Sequence, residues 1–280
     1  MNSTDALILR SNQMFSQIDQ QAAAVLAAMW ARLPDHSNRG RDLFIREYVP
    51  VLLGAQGAVA SLTDAYLAAL VSEMAQKPVL PVGVPAEIAT GAGVRNGVPP
   101  EVEYARPFET VWYQLSQGKD QATAVAAGLT RAQAMVATDV QLARTNAARH
   151  VLSQIGPKTG IAGYRRVLTS LTACELCRIA STQRYHISDL MPIHNRCTCG
   201  IAPIHASEDP GQVIDQGLMH PEAESVGENS KGLPVFEHNF VTFPGLTVHQ
   251  HGEIGPVLTV KGQEFRGPND IPPTAETAAS

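Results

Sequence analysis

The residues best equipped for chemistry fall in one short segment. It reads Cys174-Glu-Leu-Cys177, then sixteen residues, then His194-Asn-Arg-Cys197-Thr-Cys199. The chain has 4 cysteines, and all of them lie here. Two close-set donor pairs bracketing a loop are how a chain grips a single zinc ion: each pair puts two ligand atoms on one turn, and the loop folds the second pair onto the first. Five donors, Cys174, Cys177, His194, Cys197 and Cys199, compete for four tetrahedral places. The matching two-residue gaps of Cys174-x-x-Cys177 and His194-x-x-Cys197 favour those four, with Cys199 as a neighbour or a substitute for His194. His186 and His205 are weaker donors. A shell filled by protein ligands excludes the water that a catalytic zinc needs, so the expected site is structural. A redox dithiol is the remaining use of such a pair.

Other catalytic patterns are missing. A nucleobase deaminase needs H-x-E ahead of P-C-x-x-C. Residue 173 is Ala, and the one near match, His251-Gly-Glu253, follows the cysteines. There is no phosphate-binding G-x-x-x-x-G-K-[ST], no G-x-S-x-G elbow and no H-E-x-x-H. His249, His251 and Glu253 offer a surface metal site, but a polar hairpin edge is the favoured reading. No catalytic residue is expected, and the chain is not expected to be an enzyme.

The elements that must position the cysteines follow from periodicity. Ala6 to Leu33 carries Ile8, Phe15, Ile18, Val25, Leu26, Met29 and Leu33 at helical spacing, with Ser3, Thr4 and Asp5 able to cap its start. A second helical stretch runs from about Arg39 to Ala75, with a kink or break expected near Pro50, Gly54 and Gly57. Lys77 to Pro100 is rich in proline and glycine and reads as a loop or linker that either wraps over the protein or becomes ordered only against a partner. Helix returns over Arg106 to Ile155, interrupted at Gly118-Lys-Asp120. Thr138-Asp139 and Arg144-Thr-Asn146 are expected on a solvated face of it. Tyr164 to Ser170 reads as a strand entering the first cysteine pair, and Ile201 to Ile204 as a strand leaving the second. Such a pair of strands, each with a ligand turn, makes a zinc-ribbon-like element. Leu246 to Val260 reads as two strands around a Gly252 to Gly255 turn.

The fold class expected is therefore α+β: a mainly helical N-terminal body, then a small zinc-ribbon-like β knob, then a strand-rich, partly extended tail. Four segments are expected: helical 1–76, a Pro/Gly-rich linker 77–105, a helical and zinc-binding region 106–205, and the tail 206–280. Composition agrees, with 44% hydrophobic residues but only 5% aromatics, which favours helices packed through small side chains. No run of eighteen consecutive apolar residues is present, so no membrane span is expected. Met1 to Arg10 lacks the pattern of a secretory signal.

Net charge is -5 and uneven. Arg144, Arg149, Lys158, Arg165, Arg166, Arg178, Arg184 and Arg196 face only Glu175 and Asp189 over residues 141–200, whereas the chain beyond is acidic. A DNA-facing patch is one meaning of this. Compensation of an anionic thiolate cluster, with attraction to the tail, is the favoured one.

The order of helix, Arg144-Thr-Asn146-Ala147, Tyr164-Arg-Arg-Val, Cys174-x-x-Cys177 and His194-x-x-Cys197-x-Cys199 resembles the MuF-like minor head proteins of tailed bacteriophages, particularly those infecting actinobacteria. The specific match spans about Ala105 to Ile204, and Val248 to Pro268 is similar to the tails of such proteins. The resemblance implies a minor capsid protein in the virion, inside the phage head near the portal, made in the host cytoplasm and acting in head morphogenesis or delivered with the genome. It implies the portal protein or the major capsid protein as partners, with packaged DNA as a further contact and no membrane, and it brings no catalytic residues. A DNA-binding internal head protein, or a zinc-dependent nuclease or hydrolase using His186, Asp189 and His205, are the alternatives.

Overall fold

Long apolar stripes dictate long helices, and the structure, a computed structural model, has them. It describes residues 3–168, 181, 184–185, 187, 199–206, 225–228, 234–236, 246–253 and 255–260. Helix α1 spans Ser3–Ala31 and buries Ile8, Phe15, Ala22, Leu26 and Trp30 along one face. A short turn leads into α2, Asn38–Ala75, whose first turn is capped by the Ser37 hydroxyl accepting from the Arg39 amide at 3.2 Å. Gly40 is required there, since a Cβ would sit 2.1 Å from the Asp35 carbonyl oxygen.

The break expected near Pro50 does not occur, and α2 is one helix from end to end. Pro50 lies on the exposed side, while Val49, Leu52, Gln56, Val59 and Ala60 are buried around it. Packing of that face outweighs the hydrogen bond the proline removes. By length and composition α2 also qualifies to cross a membrane, but half of its most apolar stretch is buried inside the protein, and core helices pass the same test.

The stretch read as a loop or linker takes the first of its two expected forms and wraps over the protein, with short helices of its own. It carries α3 (Ala86–Ala89), a 3-10 turn at Gly91–Gly93 and α4 (Pro100–Glu103). Its start is fixed by the buried Asp64 carboxylate, which accepts from the amides of Val82 and Gly83 at 3.0 and 2.7 Å. Its middle is fixed by Gln56 Oε1, which accepts from the Gly91 amide at 2.8 Å. The segment is a strap laid over α2 and α6.

Helix α5, Arg106–Ser116, turns at Gly118 into α6, Gln121–Thr159. Asp120 caps α6 by accepting from the Thr123 amide at 2.9 Å. At about 1.5 Å per residue α6 is about 58 Å long. Gly160, with φ 75°, ends it and passes directly into a strand. Beyond lies an antiparallel sheet in the order β2-β1-β3, from β1 (Ile161–Val167), β2 (Arg184–Tyr185) and β3 (Gly200–His205). Two hairpins follow: β4 (Ser225–Glu228) with β5 (Pro234–Phe236), and β6 (Leu246–His251) with β7 (Gly255–Val260). The protein is thus mainly helical with a small antiparallel sheet.

One apolar core joins these parts. It takes in Leu26, Leu52, Leu67, Val111, Val136, Leu152, Ile161 and Ile201, from helices and sheet alike. Aromatics are few but gathered: Trp30, Phe44, Tyr48, Tyr104 and Phe108 meet edge to face or offset, with ring centroids 4.7 to 5.7 Å apart.

Candidate functional site

Cys174, Cys177, His194 and Cys197 lie outside the described residues, as does His186. Cys199 is described, and so is the framework that closes the cysteine-bearing segment. Val167 pairs with Gly200 in the β1–β3 ladder. The chain entering the first cysteine pair and the chain leaving the last are therefore neighbours, and between them Arg184–Tyr185 pairs with the other edge of β1. His205, at the far end of β3, lies against the backbone of Gly160, where a Cβ would be 2.7 Å from its Nε2. Among the described residues, no three His, Cys, Asp or Glu side chains converge as metal ligands.

Three helices bolt the closing end down. The Cys199 carbonyl accepts from Gln141 Nε2 at 3.2 Å and from Arg144 Nη1 at 3.3 Å, both on α6. Arg144 Nη2 donates to Asn12 Oδ1 on α1 at 2.7 Å, and its guanidinium lies 3.6 Å from the centre of the Phe15 ring. From α2, the Tyr66 hydroxyl donates to the Ile201 carbonyl at 2.8 Å. Burial pushes the Tyr66 hydroxyl well above its usual range, so it stays protonated as this donation requires. Gly200 sits under the crossing, where a Cβ would meet Asn12 Oδ1 at 2.5 Å and Arg144 Nη2 at 3.1 Å. Cys199 itself is 1% exposed and packs in the core.

A second face of α6 grips the strap. Asn146 Nδ2 donates to the carbonyls of Ile88 at 3.2 Å and Gly93 at 3.5 Å. Beside it Ala147 packs on Ala60 and Ala89, small residues that let three backbones approach. Two turns earlier, Asp139 Oδ1 accepts from Arg95 Nε at 2.6 Å and Oδ2 accepts from the Tyr104 hydroxyl at 2.8 Å. Glu103 also lies against Arg95 Nε. Burial raises Asp139 and Glu103 above the usual carboxylate range, and burial also raises the Tyr104 hydroxyl. For Arg95 burial acts the other way, but Asp139 and Glu103 beside it keep the guanidinium charged.

These contacts correct the expectation that Thr138-Asp139 and Arg144-Thr-Asn146 face solvent. Asp139 is 0% and Arg144 3% exposed, because α6 is covered on both flanks, by β3 and α1 and by the strap. His249, His251 and Glu253 lie on the β6–β7 hairpin as read, and Glu253 at its turn is also held by an ion pair. That side chain is 19% exposed and takes a bidentate bond from Arg106 at 2.6 and 2.7 Å. Arg95, Glu103, Tyr104 and Asn12 were not singled out by sequence. Asp139 was detectable, since it falls at helical spacing between Val136 and Ala143 on the buried stripe of α6.

Compared with known proteins, the chain matches no family model, no curated protein and no solved structure.

Proposed function

We propose that this chain is a non-catalytic structural protein of a tailed-phage head, of the MuF-like minor head type, acting near the portal during assembly. The observation that carries the reading is the division of labour within Arg144-Thr-Asn146-Ala147, the motif behind the resemblance. Arg144 holds the residue that ends the cysteine cluster, and Asn146 and Ala147 hold the strap. The motif is spent on holding the sheet and the strap to the helices, and all four of its residues are buried.

A structural zinc, held by four of Cys174, Cys177, His194, Cys197 and Cys199, completes that design. The donor set suits zinc, and the Val167–Gly200 pairing fits it by bringing the two ends of the ligand segment side by side. Bound zinc supplies cross-links that offset the entropy of ordering the loop. The reading of the basic stretch as a DNA surface is weakened, because Arg144 and Arg166 are 3% and 0% exposed and neither can reach phosphate. Partners in this reading are the portal protein or the major capsid protein.

Elemental analysis of the purified protein is expected to find about one zinc per chain. The double substitution Cys174→Ser with Cys177→Ser is expected to abolish metal binding and incorporation into heads, and cross-linking of intact particles to join the wild-type chain to the portal or the shell. Normal particles carrying the metal-free double variant would refute the proposal.

A further inference from the structure

Five charged groups from four parts of the chain meet at the mouth of the strap: Arg95, Glu103, Arg106, Asp139 and Glu253. Glu103 and Asp139 are 2% and 0% exposed, and both lie against the same Arg95 Nε. That nitrogen carries one hydrogen. Asp139 Oδ1 takes it, and Asp139 Oδ2 takes the Tyr104 hydroxyl. Glu103 Oε1, fully buried, receives no hydrogen bond. Two ionised carboxylates side by side in a dry site, one short of donors, repel and cannot both stay charged. A single proton resolves this, with Glu103 carrying it and donating to Asp139. The count then closes: Arg95 balances Asp139, and Arg106 balances Glu253.

We propose that the segment from Arg95 to Arg106 is a proton-gated clamp on the β6–β7 hairpin: Glu103 and Asp139 share one proton around Arg95, and losing it loosens the strap and frees the hairpin. Among the described residues, this segment holds the hairpin at Gly252 and Glu253. Its turn is held by Arg106 on Glu253, by Arg95 Nη1 at 3.8 Å from Glu253, and by Asn96 Nδ2 donating to the Gly252 carbonyl at 2.8 Å. An added negative charge at Glu103 draws Arg95 inward and strips Glu253 of one of its two cations.

Other charged and titratable groups surround the pair, and Arg131 of α6 faces Arg106 and Glu253. Tyr104 bonds Asp139, and Tyr48 of α2 lies with its ring centroid 5.2 Å from that of Tyr104. Asp19 of α1 acts on Tyr48, Arg106 acts on Glu103, and His251 acts on Glu253. The sign follows from Glu103 and Asp139, both raised above the unfolded carboxylate range. Their contribution is fully present at acid pH and is lost as pH rises through their folded values. The clamp is therefore shut at lower pH and opens toward alkali. This device does not depend on the metal or on the head-protein reading.

Hydrogen–deuterium exchange of the full-length protein tests it, with rates corrected for base catalysis, between about pH 6 and about pH 9, a window above the unperturbed carboxylate range. In the wild type, protection over 94–106 and over 246–260 is expected to fall together by about tenfold or more across that window. In Glu103→Gln, which keeps the amide as a donor and removes the titration, both segments are expected to stay protected throughout. In Glu253→Gln the hairpin is expected to lose protection at every pH while the strap keeps its own. Corrected wild-type protection that does not change with pH overturns the proposal without reference to any variant. So does a Glu103→Gln profile that falls in step with the wild type.

Discussion

Arg144 is a cation buried at 3% exposure, and it is sustained by saturation rather than by a carboxylate partner alone. Its contacts include a backbone carbonyl, an amide oxygen and an aromatic face, which together replace much of the water it gives up. The glycine beneath it is as specific. Gly200→Ala would force a methyl group against Asn12 Oδ1 and the guanidinium, and is expected to cost about 1–3 kcal/mol in urea unfolding. Gly57 makes the contrast. It lies inside α2 with nothing within 4 Å of a would-be Cβ, so Gly57→Ala is expected to raise stability by about 0.5–1 kcal/mol in the same assay. The two glycines look alike in sequence, and only the surroundings of each set the sign.

Helix α6 is the element on which the molecule is organised. One flank holds Gln141 and Arg144 against the sheet, and the other holds Asp139, Asn146 and Ala147 against the strap. A helix of this length with polar residues on its flanks reads as half-exposed when only periodicity is considered. It is covered because the strap and the chain entering β3 at Cys199 lie across it, and such irregular stretches carry backbone carbonyls that need donors. Asn146 supplies such donors to Ile88 and Gly93. Asn146→Ala is expected to cost about 1 kcal/mol and to raise amide exchange over residues 86–98 while that of α1 and the first half of α2 is unchanged. Exchange rising evenly over the whole chain would show that the strap is not a separately held element.

At the scale of the molecule, the helices and the sheet share one core, and the segment bearing the proposed metal site leaves the sheet after Val167, returns to it at Arg184–Tyr185 and rejoins it at Gly200. The helical body has its own buried residues from α1, α2, α5 and α6 and does not need a distant ion to stay folded. Treatment with a strong chelator is accordingly expected to leave the helical far-ultraviolet circular dichroism largely intact while residues 169–198 become sensitive to protease. Collapse of the helical signal together with metal loss would show instead that the ion holds the whole fold.

What the sequence determined by itself was local. Apolar residues at helical spacing set α1, α2 and α6, and alternation pointed to β1, because each of these rests on contacts or dihedral limits within a few residues, although α6 runs through Gly156 and Pro157 to Thr159 rather than ending at Ile155 and β1 begins at Ile161 rather than Tyr164. The clustered cysteines were equally legible, since ligand spacing is a property of the chain alone. Tertiary structure decided the rest. It carried α2 straight through Pro50, folded a proline-rich stretch into a strap, and buried Asp139, Arg144 and Asn146. Those outcomes depend on partners up to 132 residues away, as Arg144 and Asn12 are, and the free energy of burying a charge is set by what arrives to meet it.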